Sequence, residues 1–251
     1  MHRVARAAGF SILVLTTLVC GHAATHAQQK PPEPRYSIPE LQRLLVDWPN
    51  LARYREANAK LTPPAPGENR VVFFGDSITE GWSRDVAFFP GKPYVNRGIS
   101  GQTTPQMLVR FRQDVVALRP KVVVVLAGTN DIAGNTGPST PEMIEDNLAS
   151  MAEIASANGI RVVLASILPA FDYPWRPGLQ PAPKIATVNE WMKEYARAHQ
   201  HVYLDYYSAM VDEKQGLKQA YGTDGVHPSK AGYEVMAPLA EKAIAEALRA
   251  R

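Results

Sequence analysis

Thiol chemistry is almost absent from this sequence, because its 251 residues include a single cysteine, Cys20. One cysteine cannot form an internal disulfide or a thiolate metal site, and Cys20 lies in a stretch that we expect to be removed. An excess of one charge is absent as well, since 27 basic residues accompany 24 acidic ones and the formal net charge is +3. This near balance gives no indication of a nucleic-acid partner.

Acidic residues are missing from residues 1–27. Two arginines precede an apolar run from Ala7 to Cys20, and small residues follow up to Ala27. This order is typical of a secretory signal peptide, and the run is shorter than the roughly 20 apolar residues of a membrane-spanning helix. We therefore predict a signal peptide over residues 1–27, no integral membrane segment after cleavage, and a secreted or periplasmic protein. Val19 argues against lipid attachment at Cys20, because such sites normally have Gly, Ala or Ser before the cysteine.

Motifs for cofactors and metals are also missing. No Gly-x-Gly-x-x-Gly or Walker loop follows any predicted strand. His199 and His201 are on a different element from His227, and a third ligand is lacking. We expect neither a cofactor nor a metal.

Proline is concentrated before residue 70. Residues 28–38 are proline-rich and polar, which is typical of an exposed linker. Leucines at helical spacing follow between Pro39 and Leu61, with a break at Pro49. We predict a linker and helical arm over residues 28–69, docked on a catalytic domain over residues 70–251.

Short apolar stretches alternate with helical patterns in the rest of the chain. The predicted strands are 71–74, 94–96, 122–126, 161–166 and 202–204, and the predicted helices lie within 104–119, 139–158, 184–199 and 229–248. The strands lack polar alternation, as expected when both faces of a sheet are covered. The alternation predicts an α/β fold, namely a three-layer α/β/α sandwich with a central, mainly parallel, five-stranded sheet.

Ser77 directly follows the first predicted strand, after Gly75 and Asp76. Ligand sites of parallel sheets lie outside the carboxyl ends of the strands. Ser77, Gly101, Asn130 and the loop 168–183 all follow such ends, so we expect them to converge. An Asp-Ser pair can also simply cap the next helix, and Ser77 alone does not decide between the two interpretations.

Asp224 and His227 are three residues apart, with Gly225 between them and Pro228 after them. In a turn, residues at this spacing approach within roughly 7 Å. The carboxylate can then orient the imidazole while the other ring nitrogen faces Ser77, which would form a Ser-His-Asp triad. Taken alone, the pair can also be two unrelated polar residues.

Four blocks together resemble the SGNH (GDSL-type) hydrolase superfamily in order and spacing. They are Gly75-Asp76-Ser77-Ile78-Thr79, the loop from Gly98 to Gly101, Gly128-Thr129-Asn130-Asp131, and Asp224-x-x-His227. The resemblance covers about residues 70 to 248 and implies a flavodoxin-like α/β/α fold. It also implies ester hydrolysis through an acyl-serine intermediate, without metal or cofactor.

The resemblance assigns roles to individual residues. Ser77 would be the nucleophile, His227 the general base and later the acid, and Asp224 the residue that orients His227. The oxyanion hole would consist of the backbone N–H groups of Ser77 and Gly101 and the side-chain amide of Asn130. Gly101 is preferred to the glycine at 98 because a polar pair follows it. Asp76 and Asp131 are expected to bond loop amides that hold the nucleophile and Asn130 in place.

The substrate is less defined than the reaction. Four aromatic residues near the strand ends could stack on a sugar or simply pack in their loops: Trp82, Phe171, Tyr173 and Trp175. Extracytoplasmic members of the family often remove acetyl groups from carbohydrates, so we expect an acetyl ester of a carbohydrate. A lysophospholipase-like, lipase-like or arylesterase activity on longer chains is the alternative within the enzyme class. A non-catalytic carbohydrate-binding protein is the alternative outside it.

Overall fold

The computed structural model describes residues 37–249, and a parallel sheet lies at its centre. The strands are β1 (Val71–Gly75), β2 (Tyr94–Gly98), β3 (Val122–Leu126), β4 (Arg161–Ala165) and β5 (Val202–Leu204). Their spatial order is β2-β1-β3-β4-β5, and every neighbouring pair is parallel. The predicted α/β fold with a five-stranded sheet is confirmed. The predicted signal peptide lies outside the described residues.

Helices connect the strands along the described chain. They are α1 (Ile38–Val46), α2 (Arg55–Lys60), α3 (Ser77–Asp85), α4 (Thr104–Asp114), α5 (Thr129–Ile132), α6 (Pro141–Ala157), α7 (Ala182–Ala198), α8 (Tyr207–Met210) and α9 (Lys230–Arg249), with a short 3-10 turn at Val116–Leu118. Among residues 37–249, none of these helices combines the length and the apolar composition that crossing a membrane requires.

The strands β1 and β3 are buried on both faces along their whole length, as their uniformly apolar sequences predict. Side chains alternate along β1, so Val72 and Phe74 face one layer of helices while Val71 and Phe73 face the other. The first layer contains α4, α6 and α7, and the second contains α3 and α9. Burial of each such side chain contributes roughly 1.5–3 kcal/mol, so both faces of the sheet stabilise the fold.

The strand order explains where the chain presents polar groups. After β2 at one edge, the chain crosses back over β1 to form β3, so the direction of winding reverses between β1 and β3. At such a switch point the loops after two neighbouring strands diverge and leave a crevice. Ser77 follows β1 and Asn130 follows β3. The topology therefore brings these two residues to one edge of the sheet.

Two local predictions differ from the structure. The α1 helix buries none of its residues, and its leucines at 41 and 45 are exposed, so the apolar spacing does not mark a core contact there. The α6 helix is capped by Thr140, whose hydroxyl accepts from the Met143 N–H at 3.3 Å, so it begins two residues after the start of the predicted range 139–158. Pro141 therefore takes the first helical position, which needs no N–H donor.

Candidate active site

Ser77 lies at the junction of β1 and α3. A Cβ atom on Gly75 would lie 2.2 Å from Thr79 Oγ1, so the helix can start this close to the strand only with glycine there. The Asp76 carboxylate caps α3 by accepting from the Ile78 N–H at 2.9 Å. Ser77 is the first helical residue, and a helix offers no acceptor to the N–H at that position. Asp76 thus serves as the cap, while Ser77 presents its hydroxyl and N–H at the strand end.

Hydrogen bonds join Ser77, His227 and Asp224 in a line. Ser77 Oγ lies 2.9 Å from His227 Nε2, and His227 Nδ1 lies 2.7 Å from Asp224 Oδ2. The other carboxylate oxygen accepts from the backbone N–H groups of Val226 at 3.0 Å and His227 at 2.8 Å, which closes the turn. An Nδ1–H donated to Asp224 leaves Nε2 free to accept the serine proton. This geometry can activate Ser77 as a nucleophile.

Asp224 is held in its ionised form. Partial burial alone would raise the pKa of its carboxyl, but the hydrogen bonds from His227 and Val226 outweigh burial and lower the pKa below its ordinary value. An ionised carboxylate both fixes the imidazole tautomer and stabilises the imidazolium that forms when the ring takes a proton.

Two further carboxyl groups are buried beneath the site. Burial raises the pKa of Asp76 to about 6, with the Ile78 N–H opposing the shift and the charge of Asp131 adding to it. Burial likewise raises the pKa of Asp131 to about 6, against its hydrogen bonds with Thr104. Asp131 Oδ1 accepts from the N–H and O–H of Thr104 at 3.0 and 2.6 Å. Asp131 therefore ties the start of α4 to the end of β3, whereas we expected it to hold the Asn130 loop.

Asn130 and Gly101 lie on two loops that are hydrogen-bonded to each other. Asn130 is 3% exposed, and its Nδ2 donates to the Gln102 carbonyl at 3.1 Å. Asn135 Nδ2 donates to Asn130 Oδ1 at 2.6 Å and to the Gly101 carbonyl at 3.1 Å. Because a donor engages its oxygen, the Asn130 amide is fixed in one orientation, and one of its two N–H groups is left for a ligand. Gly101 has φ +77°, a conformation that favours glycine.

Two of the four aromatic residues predicted to contact a sugar do not reach solvent. Trp82 is 3% exposed, and the centroid of its ring lies 5.0 Å from that of Phe89 and 5.2 Å from that of Tyr233. The prediction for Trp82 is wrong, because its side of α3 faces the core. Tyr173 is fully buried, and its hydroxyl lies 3.0 Å from Thr129 Oγ1. The prediction of a sugar contact for Tyr173 is wrong as well, because a fully buried ring cannot reach a substrate.

The other two aromatic residues do lie at the surface near the triad. Phe171 is 65% exposed and Trp175 is 37% exposed. The Trp175 ring lies 6.0 Å from the His227 ring. Phe171 lines a cavity of about 300 Å³, and the carboxyl groups of Asp172, Asp212 and Asp224 also line it. An open site with an aromatic edge and carboxylates therefore adjoins the triad.

Sequence reasoning missed Arg110, a buried cation beneath the strand ends. Its guanidinium donates to the carbonyls of Gly75 and Arg97, both at 2.9 Å, and pairs with Asp114 at 3.1 Å. Burial lowers the pKa of Arg110 to about 10 while Asp114 opposes the shift, so the group is charged at neutral pH. A signal was present in the sequence, since Arg110 interrupts the apolar stripe of α4 and has an acid four residues later.

Comparisons with known proteins show the family to which the chain belongs. The family model described as GDSL-like Lipase/Acylhydrolase family matches residues 73–235, which is more than half of the chain. The chain therefore belongs to this family, and so to the SGNH hydrolase superfamily that its motifs resemble. Membership supports carboxylic ester hydrolase activity.

Several individual proteins that are similar to this chain have names of ester hydrolases. A proposed acylhydrolase of Bacteroides fragilis, solved by crystallography, is 48% identical, with a TM-score of 0.79 over 81% of this chain and 99% of its own. A GDSL-like lipase of Bacteroides thetaiotaomicron is 46% identical, with a TM-score of 0.78 over 80% of this chain and 99% of its own. An acetylxylan esterase of Xylanibacter ruminicola is 26% identical over 72% of this chain and 44% of its own length. The chain spans about half the length of the first curated relatives that it matches.

Proposed function

We propose that this protein is a serine esterase that hydrolyses carboxylic esters through an acyl-Ser77 intermediate. The observation that carries the proposal is the unbroken hydrogen-bonded line from Ser77 through His227 to Asp224, with contacts of 2.9 and 2.7 Å. His227 Nε2 removes the Ser77 proton as Oγ attacks the ester carbonyl, and Asp224 stabilises the resulting imidazolium.

In the remaining steps, the oxyanion hole stabilises the intermediate and His227 passes on the proton that it has taken from Ser77. The carbonyl oxygen becomes negative in the tetrahedral intermediate, where the N–H groups of Ser77 and Gly101 and the amide of Asn130 donate to it. His227 then gives its proton to the departing alcohol, which leaves the acyl group on Ser77. A water activated by His227 attacks this acyl-serine, and the carboxylic acid leaves as Oγ regains its proton.

The proposed substrate is a carbohydrate that carries a short acyl group, namely acetyl, in ester linkage. The aromatic edges of Phe171 and Trp175 lie at the site, and aromatic faces are a common platform for sugar rings. The adjoining cavity of about 300 Å³ has a mixed lining, in which Phe171 and Leu217 offer apolar surface to the face of a sugar ring while Asp172 and Asp212 can accept hydrogen bonds from its hydroxyl groups. A relative whose name is acetylxylan esterase supports the same substrate class.

The test is a panel of p-nitrophenyl esters of increasing chain length, measured beside acetylated xylo-oligosaccharides. We expect kcat/KM to be highest for acetate and the acetylated sugars to be hydrolysed. A preference for long chains would overturn the acetyl proposal in favour of a lipase-like, lysophospholipase-like or arylesterase role. No hydrolysis of any ester, with binding of the sugars retained, would favour the non-catalytic carbohydrate-binding alternative.

The predicted signal peptide extends the proposal to location. Export would bring the enzyme to acetylated polysaccharides outside the cell, in the periplasm or the medium. Fractionation of cells that produce the full chain tests this, since we expect the mature protein in the periplasmic or medium fraction. Retention of the uncut chain in the cytoplasm would contradict it.

A further inference from the structure

A segment that precedes the region matched by the family model is hydrogen-bonded to the loop that carries Gly101. We define the N-terminal arm as residues 47–60, which precede the 73–235 region of the family model. Asp47 holds the turn of the arm, because its two carboxylate oxygens accept from the N–H groups of Leu51 and Ala52 at 2.7 and 2.9 Å. The α2 helix then completes the arm. The arm therefore presents a defined surface to the domain.

The arm bonds both ends of the oxyanion loop, which we define as residues 98–102. At its start, the Tyr54 hydroxyl donates to the Gly98 carbonyl. At its end, Gln102 Nε2 donates to the Pro49 carbonyl at 2.6 Å. The two residues that bound the loop are thus each tied to the arm.

A third connection reaches the middle of the oxyanion loop. Arg53 pairs with Glu80 Oε1 at 2.8 Å, and Glu80 Oε2 accepts from the Ser100 N–H at 2.9 Å. Glu80 belongs to α3, the helix that begins with Ser77. The arm therefore bonds, directly or through Glu80, the residues on both sides of Gly101.

Gln102 connects the arm to the rest of the oxyanion machinery. Its side chain is 3% exposed, with Nε2 on the arm and Oε1 accepting from the buried Arg110. Its backbone carbonyl accepts from Asn130 Nδ2 at 3.1 Å. A shift of Gln102 would therefore move both the neighbouring Gly101 N–H and the acceptor that holds the Asn130 amide.

The loop needs such external support for a physical reason. It leaves the last residue of β2 and reaches α4 through Gly101, a residue with many accessible backbone conformations, so the loop needs contacts that hold it in one of them. Oxyanion donors act only when they are already in place as charge develops. A displacement of about 1 Å in a catalytic group can lower the rate by roughly 10²-fold.

We propose that the N-terminal arm is a positioning element for the oxyanion hole, with Tyr54 on the arm and Gln102 on the oxyanion loop as the two positioning residues of their contact. They act through Gly101 and Asn130 and do not touch the substrate. The proposal depends on the esterase mechanism given above. It adds to that mechanism a contribution to the transition state from a segment outside the matched family region.

A matched pair of glutamine variants tests the proposal. Gln102→Glu keeps an oxygen for Arg110 but replaces the donor to Pro49 with an acceptor. Gln200→Glu is the control for the change in charge, because Gln200 is exposed and precedes β5, at the opposite end of the strands from the candidate site. We expect Gln102→Glu to lower kcat by about 10- to 100-fold with KM nearly unchanged. Gln200→Glu should leave both constants within about twofold.

Tyr54→Phe gives an independent variant on the arm side. It removes only the hydroxyl that bonds Gly98 and keeps the ring against Arg97. It should lower kcat in the same way as the Gln102 variant. In both variants the inhibition constant of an alkyl boronic acid, which forms a tetrahedral adduct with serine, should rise by the factor by which kcat/KM falls.

The outcomes separate this proposal from the esterase mechanism. Melting curves must first show that each variant is folded at the assay temperature. Equal kinetic losses in the Gln102 and Gln200 variants, or a rise in KM alone, would overturn the positioning role. Fluorophosphonate labelling of Ser77 in the parent protein with normal kcat in Tyr54→Phe and Gln102→Glu would reject the arm proposal alone. Failure of the parent to label at Ser77 would reject the mechanism beneath it.

Discussion

At the residue scale, the Asn130 amide is the proposed oxyanion donor that a single substitution can test. Its oxygen is engaged by Asn135 at 2.6 Å, so its N–H groups are aimed before the substrate arrives. A donor that bonds only the developing oxyanion changes kcat and kcat/KM together and leaves KM nearly unchanged. Asn130→Ala should therefore lower kcat by roughly 10²- to 10³-fold, equivalent to about 2.7–4 kcal/mol.

Steady-state kinetics on two asparagine variants check this expectation. Asn147 on α6 is a suitable control, because its amide bonds Thr104 Oγ1 at 3.1 Å without reaching the oxyanion loop. Asn147→Ala should keep kcat near that of the parent. A higher KM with unchanged kcat in Asn130→Ala would show that Asn130 binds the substrate and does not stabilise the transition state.

The buried carboxyl of Asp76 predicts a pH dependence of stability. Its pKa of about 6 in the folded protein lies above the ordinary 3.8, so the folded state binds this proton more tightly than the unfolded chain. The resulting stabilisation is fully present below pH 3.8 and is lost as the pH rises through 6. Between about pH 7 and pH 5, this one group should raise the free energy of unfolding by about 1 kcal/mol.

Urea unfolding of the parent and of Asp76→Asn at the two pH values isolates this effect. Asparagine cannot titrate but keeps an oxygen for the Ile78 N–H. The parent should therefore gain about 1 kcal/mol more than the variant on acidification from about pH 7 to pH 5. The same pH dependence in both proteins would mean that Asp76 is not the titrating group.

At the element scale, the contact of α3 with β2 holds Ser77, the proposed nucleophile, in place. A Cβ atom on Gly98 would lie 2.2 Å from the Glu80 nitrogen and 2.7 Å from the Asp76 carbonyl oxygen. Both are backbone atoms, so Gly98→Ala must push α3 away from the sheet. Overpacking of this kind destabilises by about 1–3 kcal/mol or more. It should also lower kcat, because Ser77 begins the displaced helix.

A second glycine separates crowding from backbone strain. Gly91 has φ +76°, and apart from Gly91 and its two chain neighbours no atom of residues 37–249 lies within 4 Å of the position that its Cβ would take. Gly91→Ala therefore introduces only the strain of the left-handed conformation, roughly 1–2 kcal/mol. Thermal unfolding should show the larger loss for Gly98→Ala, and only that variant should lose activity. Equal losses of Tm with full activity in both would contradict the close-contact argument.

The same scale shows what the sequence could and could not predict. The strands were predictable because runs such as Val122 to Leu126 are apolar without alternation, and burial of both faces leaves no other interpretation. The Asp224 to His227 pairing was predictable because a four-residue turn fixes the separation of its ends. The burial of Trp82 could not be predicted, because it depends on which side of α3 packs against Phe89 and the core. The position of Arg110 on the apolar stripe of α4, four residues before Asp114, could have indicated its burial, but no sequence pattern identifies the backbone carbonyls to which it donates.

At the scale of the whole molecule, the candidate site is assembled from segments far apart in the chain. Ser77 follows β1, Asn130 follows β3 and His227 precedes α9. The parallel sheet brings the first two together, and the Tyr233 hydroxyl, which donates to the Ile78 carbonyl at 2.8 Å, ties α9 to the helix of the nucleophile. The function therefore depends on the complete domain, since each catalytic group is placed by a different part of the fold.

The most direct test of the central claim is to identify the residue that a fluorophosphonate modifies, by mass spectrometry of the digested protein. If His227 activates Ser77, the label should be on Ser77 alone and should be absent from heat-unfolded protein. Ser77→Ala should remain folded by its melting curve, take up no label and lose nearly all esterase activity. A label on another serine, with Ser77 unmodified and activity lost, would contradict the account.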